Sequence, residues 1–230
     1  MGSAAAACFG LAAAGAAVPA RGAAPVAPVM PPEEALRLMR EGNEKYVTDA
    51  PFRATAGRER RLEIAVKQRP FCVLVGCSDN RVSPELLFGR GLGELFIVRN
   101  AGNVVDLAAM GSIEYGVAAL GVPLVVVLGH QRCGAVEAAV SIVEKDERYP
   151  GSIGKMVEPI VPAVLSARRR KAEGAANGDL LDLAVRENVD RVVDRLRTTE
   201  QLLAEPQQKG TLKIVGAHYD LEGGRVEFKT

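Results

Sequence analysis

Two apolar runs, Phe71–Gly76 and Pro123–Leu128, constrain this chain more than any other feature. Neither alternates with polar residues, so each predicts a strand covered on both faces, as in a parallel sheet between helices. Leu95-Phe96-Ile97-Val98 and Leu212–Ala217 predict two more strands. Between them, Leu107, Met110, Ile113, Val117 and Leu120 recur at helical spacing, and Gly134–Glu144 continues as a helix. Alternating strands and helices imply parallel pairing and right-handed crossovers. Gly223-Gly224 then turns the chain into a short last strand, Arg225–Phe228. The expected fold is α/β: a parallel-core sheet of four strands plus a short C-terminal antiparallel strand, flanked by helices and preceded by an N-terminal helical arm.

The remaining helices have recognisable ends. Pro31-Pro32-Glu33-Glu34 opens the arm, which runs to Val47, with Pro suited to the first turn and acids to the positive end of the dipole. A second helix spans Arg58–Gln68 before Pro70, and Ser83-Pro84-Glu85 starts a short one with Ser83 as its cap. Two long helices, Ile153–Arg170 and Asp179–Glu205, flank a link at Gly174–Gly178.

The chain has 230 residues, 48% of them hydrophobic, enough for one sizeable domain with an appendage. Residues 31–230 are assigned to that domain and residues 1–30 to an Ala-rich leader. The apolar run to about Ala20, followed by Ala20-Arg21-Gly22-Ala23-Ala24, resembles a secretory h-region and cleavage zone, although only Met1-Gly2-Ser3 precedes it and the usual basic start is missing. Export to the periplasm or beyond after leader removal is therefore expected, with a cytoplasmic protein as the alternative. The run is too short and too rich in Ala and Gly for a membrane span. Lys+Arg number 29 and Asp+Glu 28, a net charge of +1, so charge gives no reason to expect nucleic acid. Arg168-Arg169-Arg170-Lys171 reads as a solvated helix end.

Both apolar runs lead into metal-ligand side chains. Cys77-Ser78-Asp79-Asn80-Arg81 follows the first, and Gly129-His130-Gln131-Arg132-Cys133 the second. Open α/β sheets hold ligands beyond the carboxyl ends of their strands, so the two segments can meet there. Two thiols, one imidazole and one carboxylate are ligand types for tetrahedral zinc. The ligands are assigned as Cys77, His130 and Cys133, with a fourth position for Asp79 or water, and one Zn2+ per chain. A zinc finger would show two tight ligand pairs, whereas only His130-x-x-Cys133 is tight here. Two thiolates blunt the acidity of a metal unless neighbouring groups compensate. Asp79 and Arg81, two apart, can form a bidentate pair that orients the carboxylate. The chain has four cysteines, of which Cys72 lies inside an apolar run and reads as core. No Cys-x-x-Cys supports a thiol redox module.

These segments, with Arg99-Asn100-Ala101-Gly102-Asn103, Ser112-Ile113-Glu114-Tyr115 and Val127-Leu128-Gly129-His130, resemble the β-class carbonic anhydrases over roughly Pro32–Phe228. The resemblance implies zinc-dependent reversible hydration of carbon dioxide to bicarbonate and a proton, with Asp79 and Arg81 as a catalytic dyad. It implies a substrate pocket of Gln68, Phe96 and Tyr115, as in the plant-like branch. It also implies a homodimer, often paired into a tetramer, with the first helix packed on the partner and the site beside the dimer interface. The allosteric branch carries Trp where Leu74 stands; this chain has no Trp, so an open site is expected. Asn80 stands where the family more often has Ser. His218, the one histidine besides His130, is either a proton shuttle or a satisfied core or surface residue. Two other functions fit the same ligands: hydrolysis of a sulfur analogue, carbon disulfide or carbonyl sulfide, and a non-catalytic zinc-stabilised protein.

Overall fold

The structure, a computed structural model, describes residues 26–51, 54–198 and 201–229. Five strands make one sheet: β1 (Cys72–Gly76), β2 (Leu95–Arg99), β3 (Leu124–His130), β4 (Lys213–Tyr219) and β5 (Val226–Lys229), in the order β2-β1-β3-β4-β5. The first four run parallel and β5 pairs antiparallel with β4, as the strand pattern predicts. The predicted leader falls mostly on residues outside the described ones. Among the described residues, no helix is long and apolar enough to cross a membrane.

The pleat divides the apolar runs between two faces. Leu74, Leu124, Val126, Leu128, Val215 and Ala217 enter one core. Val73, Val75, Val125, Val127 and Ile214 enter the other. The first face is covered by α1 (Pro32–Val47), which buries Ala35, Leu36 and Met39, and by α3 (Pro84–Leu87). The arm thus packs on its own sheet. The second face is covered by α4 (Leu107–Ala118), α8 (Leu180–Thr198) and α9 (Gln201–Gln208). Gly129 lets α8 approach β3, since a Cβ there would lie 2.6 Å from Val189 Cγ2. A third apolar cluster sits at the carboxyl end of the sheet, where α5 (Gly134–Lys145), α6 (Gly151–Val157), α7 (Val161–Ala172) and the first half of α8 surround Cys77 and Cys133.

Several predicted boundaries move. The helix expected over Ile153–Arg170 is interrupted by a 3-10 turn at Glu158–Ile160 between α6 and α7. Pro159 and Pro162 each lack an N–H donor, which removes two rungs of the α-helical ladder there. The stretch predicted as one helix over Asp179–Glu205 is described as α8 and α9, with residues 199–200 outside the description. The second helix, α2 (Arg58–Ala65), ends three residues before Gln68. It buries no residue, so packing does not extend it, and Pro70 disfavours helical backbone at Arg69. Ser83 occupies the cap position of α3 but makes no capping hydrogen bond. The cap that forms is Asp106, whose Oδ1 accepts the Ala109 N–H at 2.8 Å and starts α4.

Candidate metal centre

Register explains why the ligand segments meet. β1 and β3 are adjacent and parallel, with Gly76 opposite Leu128, so their carboxyl ends emerge side by side. Cys77 follows β1 directly. His130 is the last residue of β3 rather than a loop residue, because β4 continues the ladder to Tyr219 opposite it. Arg132 then takes a left-handed conformation, φ 50°, and Cys133 becomes the N-cap residue of α5. Cys77 Sγ, a His130 ring nitrogen and Cys133 Sγ lie within 4.8 Å of one another, and all three residues are buried.

The donor set fits zinc in detail. The two sulfurs are 3.9 Å apart. Tetrahedral ligation with Zn–S near 2.3 Å requires about 3.8 Å. His130 Nδ1 lies 2.9 Å from the Gln131 carbonyl oxygen, which can only accept, so Nδ1 carries the proton. That leaves the lone pair on Nε2, which is buried with no hydrogen-bond partner. A buried, unpaired imidazole lone pair beside two thiols is what a metal ligand requires. The thiols titrate as a pair: the hydrogen bond from Cys133 draws Cys77 well below the ordinary thiol range, and Cys133 is pushed up by its interaction with Cys77.

Asp79 stands at the rim of this cradle, with Oδ2 3.9 Å from His130 Nε2. Arg81 grips it as a fork, Nε to Oδ1 at 2.9 Å and Nη2 to Oδ2 at 2.6 Å, and the Arg81 backbone N–H also reaches Oδ1 at 2.9 Å. Arg81 Nη2 further donates to the Arg132 carbonyl at 3.1 Å, tying the two segments together. The Arg81 hydrogen bonds hold the Asp79 carboxyl down to about 2. Both carboxylate oxygens are engaged, and the buried ligand cluster comprises the other three residues.

The predicted pocket residues are distributed unevenly. Phe96 on β2 and Tyr115 on α4 meet with ring centroids 6.2 Å apart. Tyr115 is 48% exposed. Gln68 lies on the exposed connector between α2 and β1. His218 stands on β4 opposite Gly129, with Arg186 and Asp182 of α8 beside it: Arg186 Nη2 lies 3.2 Å from its Nδ1, and its Nε2 is 3.0 Å from Asp182 Oδ1. It is a tethered core histidine. Cys72 is fully buried, and burial raises its thiol.

Three further contributors hold the cradle, of which sequence reasoning named Arg99 and Gly102 only as part of a motif and Asn188 not at all. Arg99 donates Nε to the Cys77 carbonyl at 2.8 Å and Nη2 to the Asp79 carbonyl at 2.7 Å, clamping the first segment. The Gly102 N–H points at Cys77 Sγ, 3.2 Å away. Asn188, buried on α8, donates Nδ2 to the Gly102 carbonyl at 2.9 Å. The Arg99–Asn103 segment was visible as a motif, but its task depends on contacts 20 to 86 residues away.

Known proteins match this arrangement. The family model described as carbonic anhydrase covers residues 72–226. The chain belongs to the carbonic anhydrase family. It is 39% identical over 199 residues to a carbonic anhydrase of Mycolicibacterium smegmatis, covering 86% of this chain and 94% of that one. It is 38% identical over 198 residues to carbonic anhydrase 2 of Mycobacterium tuberculosis, covering 86% and 93%. Among solved structures it resembles the β-carbonic anhydrase CcaA, with TM-score 0.65, 26% identity and coverage of 86% and 93%. It also resembles a structure from a study of two tetrameric β-carbonic anhydrases of Sordaria macrospora, with TM-score 0.63, 26% identity and coverage of 73% and 84%. The protein is an enzyme of the β class.

Proposed function

We propose that this enzyme hydrates carbon dioxide reversibly, holding one Zn2+ per chain on Cys77, His130 and Cys133. The observation that carries the reading is the buried His130 Nε2, unpaired and close to two sulfurs spaced for tetrahedral zinc. Zinc in such a site supplies a Lewis acid that activates water at neutral pH. The protein's own groups do the rest. Asp79, ionised and fixed by Arg81, offers Oδ2 as an acceptor that orients the proton of an attacking water. Arg81 keeps that carboxylate charged and away from the ligand set. Phe96 and Tyr115 form an apolar wall suited to a nonpolar gas, and Gln68 supplies an amide for its oxygens.

The unpaired edge of β2 supports a homo-oligomer. A second copy covering β2 would lie beside Phe96 and its contact Tyr115 of α4, and structural relatives of this fold are described as tetrameric. Export after leader removal is proposed as well, tested by N-terminal sequencing of the protein recovered from its source; a mature chain beginning at Met1 would sink it.

The decisive test is stopped-flow hydration of carbon dioxide with a pH indicator, on protein of measured zinc content. Turnover that tracks zinc and is abolished by chelation is the expected result. Full zinc occupancy without hydration would overturn the proposal.

A further inference from the structure

Two thiolates donate more charge to a metal than neutral imidazoles do, and a hydrogen bond to a sulfur restrains that donation. Cys77 receives such a bond from the Gly102 N–H at 3.2 Å. The turn that aims it is demanding. Gly102 has φ 67° and Asn103 has φ 47°, two left-handed residues in succession, and a side chain at 102 would meet Ile160 Cδ1 at 2.6 Å and Ala135 Cβ at 3.0 Å. Inside the turn, the Asn103 N–H bonds the Asn100 carbonyl and Asn100 Nδ2 bonds the Val104 carbonyl, both at 2.9 Å. From outside, Asn188 Nδ2 reaches the Gly102 carbonyl across 86 residues of chain.

Asn188 is an unusual residue for its place. It is 4% exposed on the face of α8 that also buries Ala184, Val185, Val189 and Val193. A buried amide is costly unless it is bonded, and an apolar residue would serve plain packing there. Its bond goes to a residue whose N–H serves a ligand sulfur, one of several backbone donors at the two thiols with Asp79 at Cys77 and Ala135 and Val136 at Cys133.

We propose that Asn188 is a positioning residue for the metal centre: it fixes Gly102 so that the Gly102 N–H stays on Cys77 sulfur and limits the charge that this thiolate gives to the metal. The inference rests on the zinc reading above. It assigns α8, a helix that supplies no ligand, a part in tuning the site.

The test uses the full-length protein loaded with cadmium-113 in place of zinc, observed by NMR. A hydrogen bond onto a metal-bound sulfur transmits a scalar coupling from the amide proton to cadmium. The expected result is a coupling at the Gly102 amide of the unaltered protein and its loss in Asn188→Leu. Leu203→Ala, a core truncation on α9, serves as a stability control and should keep the coupling. Turnover of zinc-loaded Asn188→Leu should fall about 10- to 100-fold, the range for outer partners of metal ligands. If Asn188→Leu does not fold, Asn188→Ser, too short to reach Gly102, takes its place. Bound cadmium with no Gly102 coupling, or a coupling that survives the loss of Asn188, overturns this proposal alone. Failure of the unaltered protein to bind cadmium or zinc overturns the metal reading, and this proposal with it.

Discussion

The carboxyl end of β1 and β3 and the free edge at β2 belong to one sheet, yet they are finished to different degrees. At the first, Cys77, His130 and Cys133 are 5%, 0% and 1% exposed, and each ligand segment is fastened by charged or backbone hydrogen bonds. At the second, β2 is only half buried, Leu107 is 89% exposed, Val66 90% and Tyr115 48%. Exposed apolar side chains beside an unpaired strand edge mark a contact surface. The three clustered ligands come from one chain and are buried, whereas the proposed pocket residue Tyr115 is exposed. Metal binding and turnover should therefore respond differently to damage in the two regions.

The largest effects belong to the cradle. Cys77→Ser should weaken zinc binding by more than the ~10- to 100-fold typical of outer-shell losses, because a ligand itself is removed. Hydration should fall to background, read together with zinc content after dialysis against a competing chelator. Retained activity in a zinc-free Cys77→Ser protein would break the assignment of the site.

Asp79→Ala separates the rim from the ligands. Zinc content should stay near that of the unaltered protein, while turnover drops about 10²- to 10⁴-fold, the usual worth of a positioned proton acceptor. The pH dependence has a definite sign. Arg81 holds Asp79 down to about 2, so the carboxylate is charged throughout pH 6.5–9. Any stability from the pair is present above the ordinary carboxylate range, near 3.8, and is lost only as pH falls towards 2. An acid limb in the hydration rate between pH 6.5 and 9 that disappears in Asp79→Ala would contradict this.

The edge gives smaller, indirect effects. Leu107→Glu and Val66→Glu put charge on exposed apolar positions, so the fold of the single chain should tolerate both. Sedimentation should show smaller species with zinc retained, and turnover should fall about tenfold if about 1.4 kcal/mol of substrate-wall contact is lost. An unchanged oligomer would remove the case for a contact surface at β2.

The difference between the regions also explains what could be read from the sequence. Cys77, His130 and Cys133 were legible because each follows a run whose apolar continuity announces a buried parallel strand, and such strands deliver their ends to one place. The four parallel strands and the antiparallel last one follow from the same signal together with Gly223-Gly224, whereas the spatial order β2-β1-β3-β4-β5 is seen only in the fold. The break between α6 and α7 was also written in Pro159 and Pro162, but helical periodicity on either side outweighed it. Asn188 left no local trace: a lone polar residue in an apolar stripe has meaning only beside Gly102, and that contact is made by folding. Gly102 itself reads as an ordinary turn residue until its N–H is seen against sulfur. Tethering of His218 was equally hidden, since Asp182 and Arg186 lie on α8 and the histidine on β4.

That tether supplies the smallest prediction and a control for the others. His218 is 6% exposed, and the groups facing it are Asp182 and Arg186 of α8 and Glu227 of β5. Burial lowers its pKa, and Arg186 lowers it further, against the opposite pull of Asp182 and Glu227. The unfolded chain therefore takes up a proton at a pH where the folded chain does not. By linkage, His218 costs stability as pH falls below the ordinary imidazole value of 6.5, with a slope of at most about 1.4 kcal/mol per pH unit. His218→Gln should flatten that slope between pH 6.5 and 5, measured as the difference in denaturant midpoint between variant and unaltered protein so that contributions common to both cancel. Zinc content and hydration at pH 8 should not change, because His218 faces α8 rather than the cradle. A loss of hydration in His218→Gln with zinc and stability intact would instead place this histidine, which stands opposite Gly129 beside ligand His130, on the proton's route out of the site.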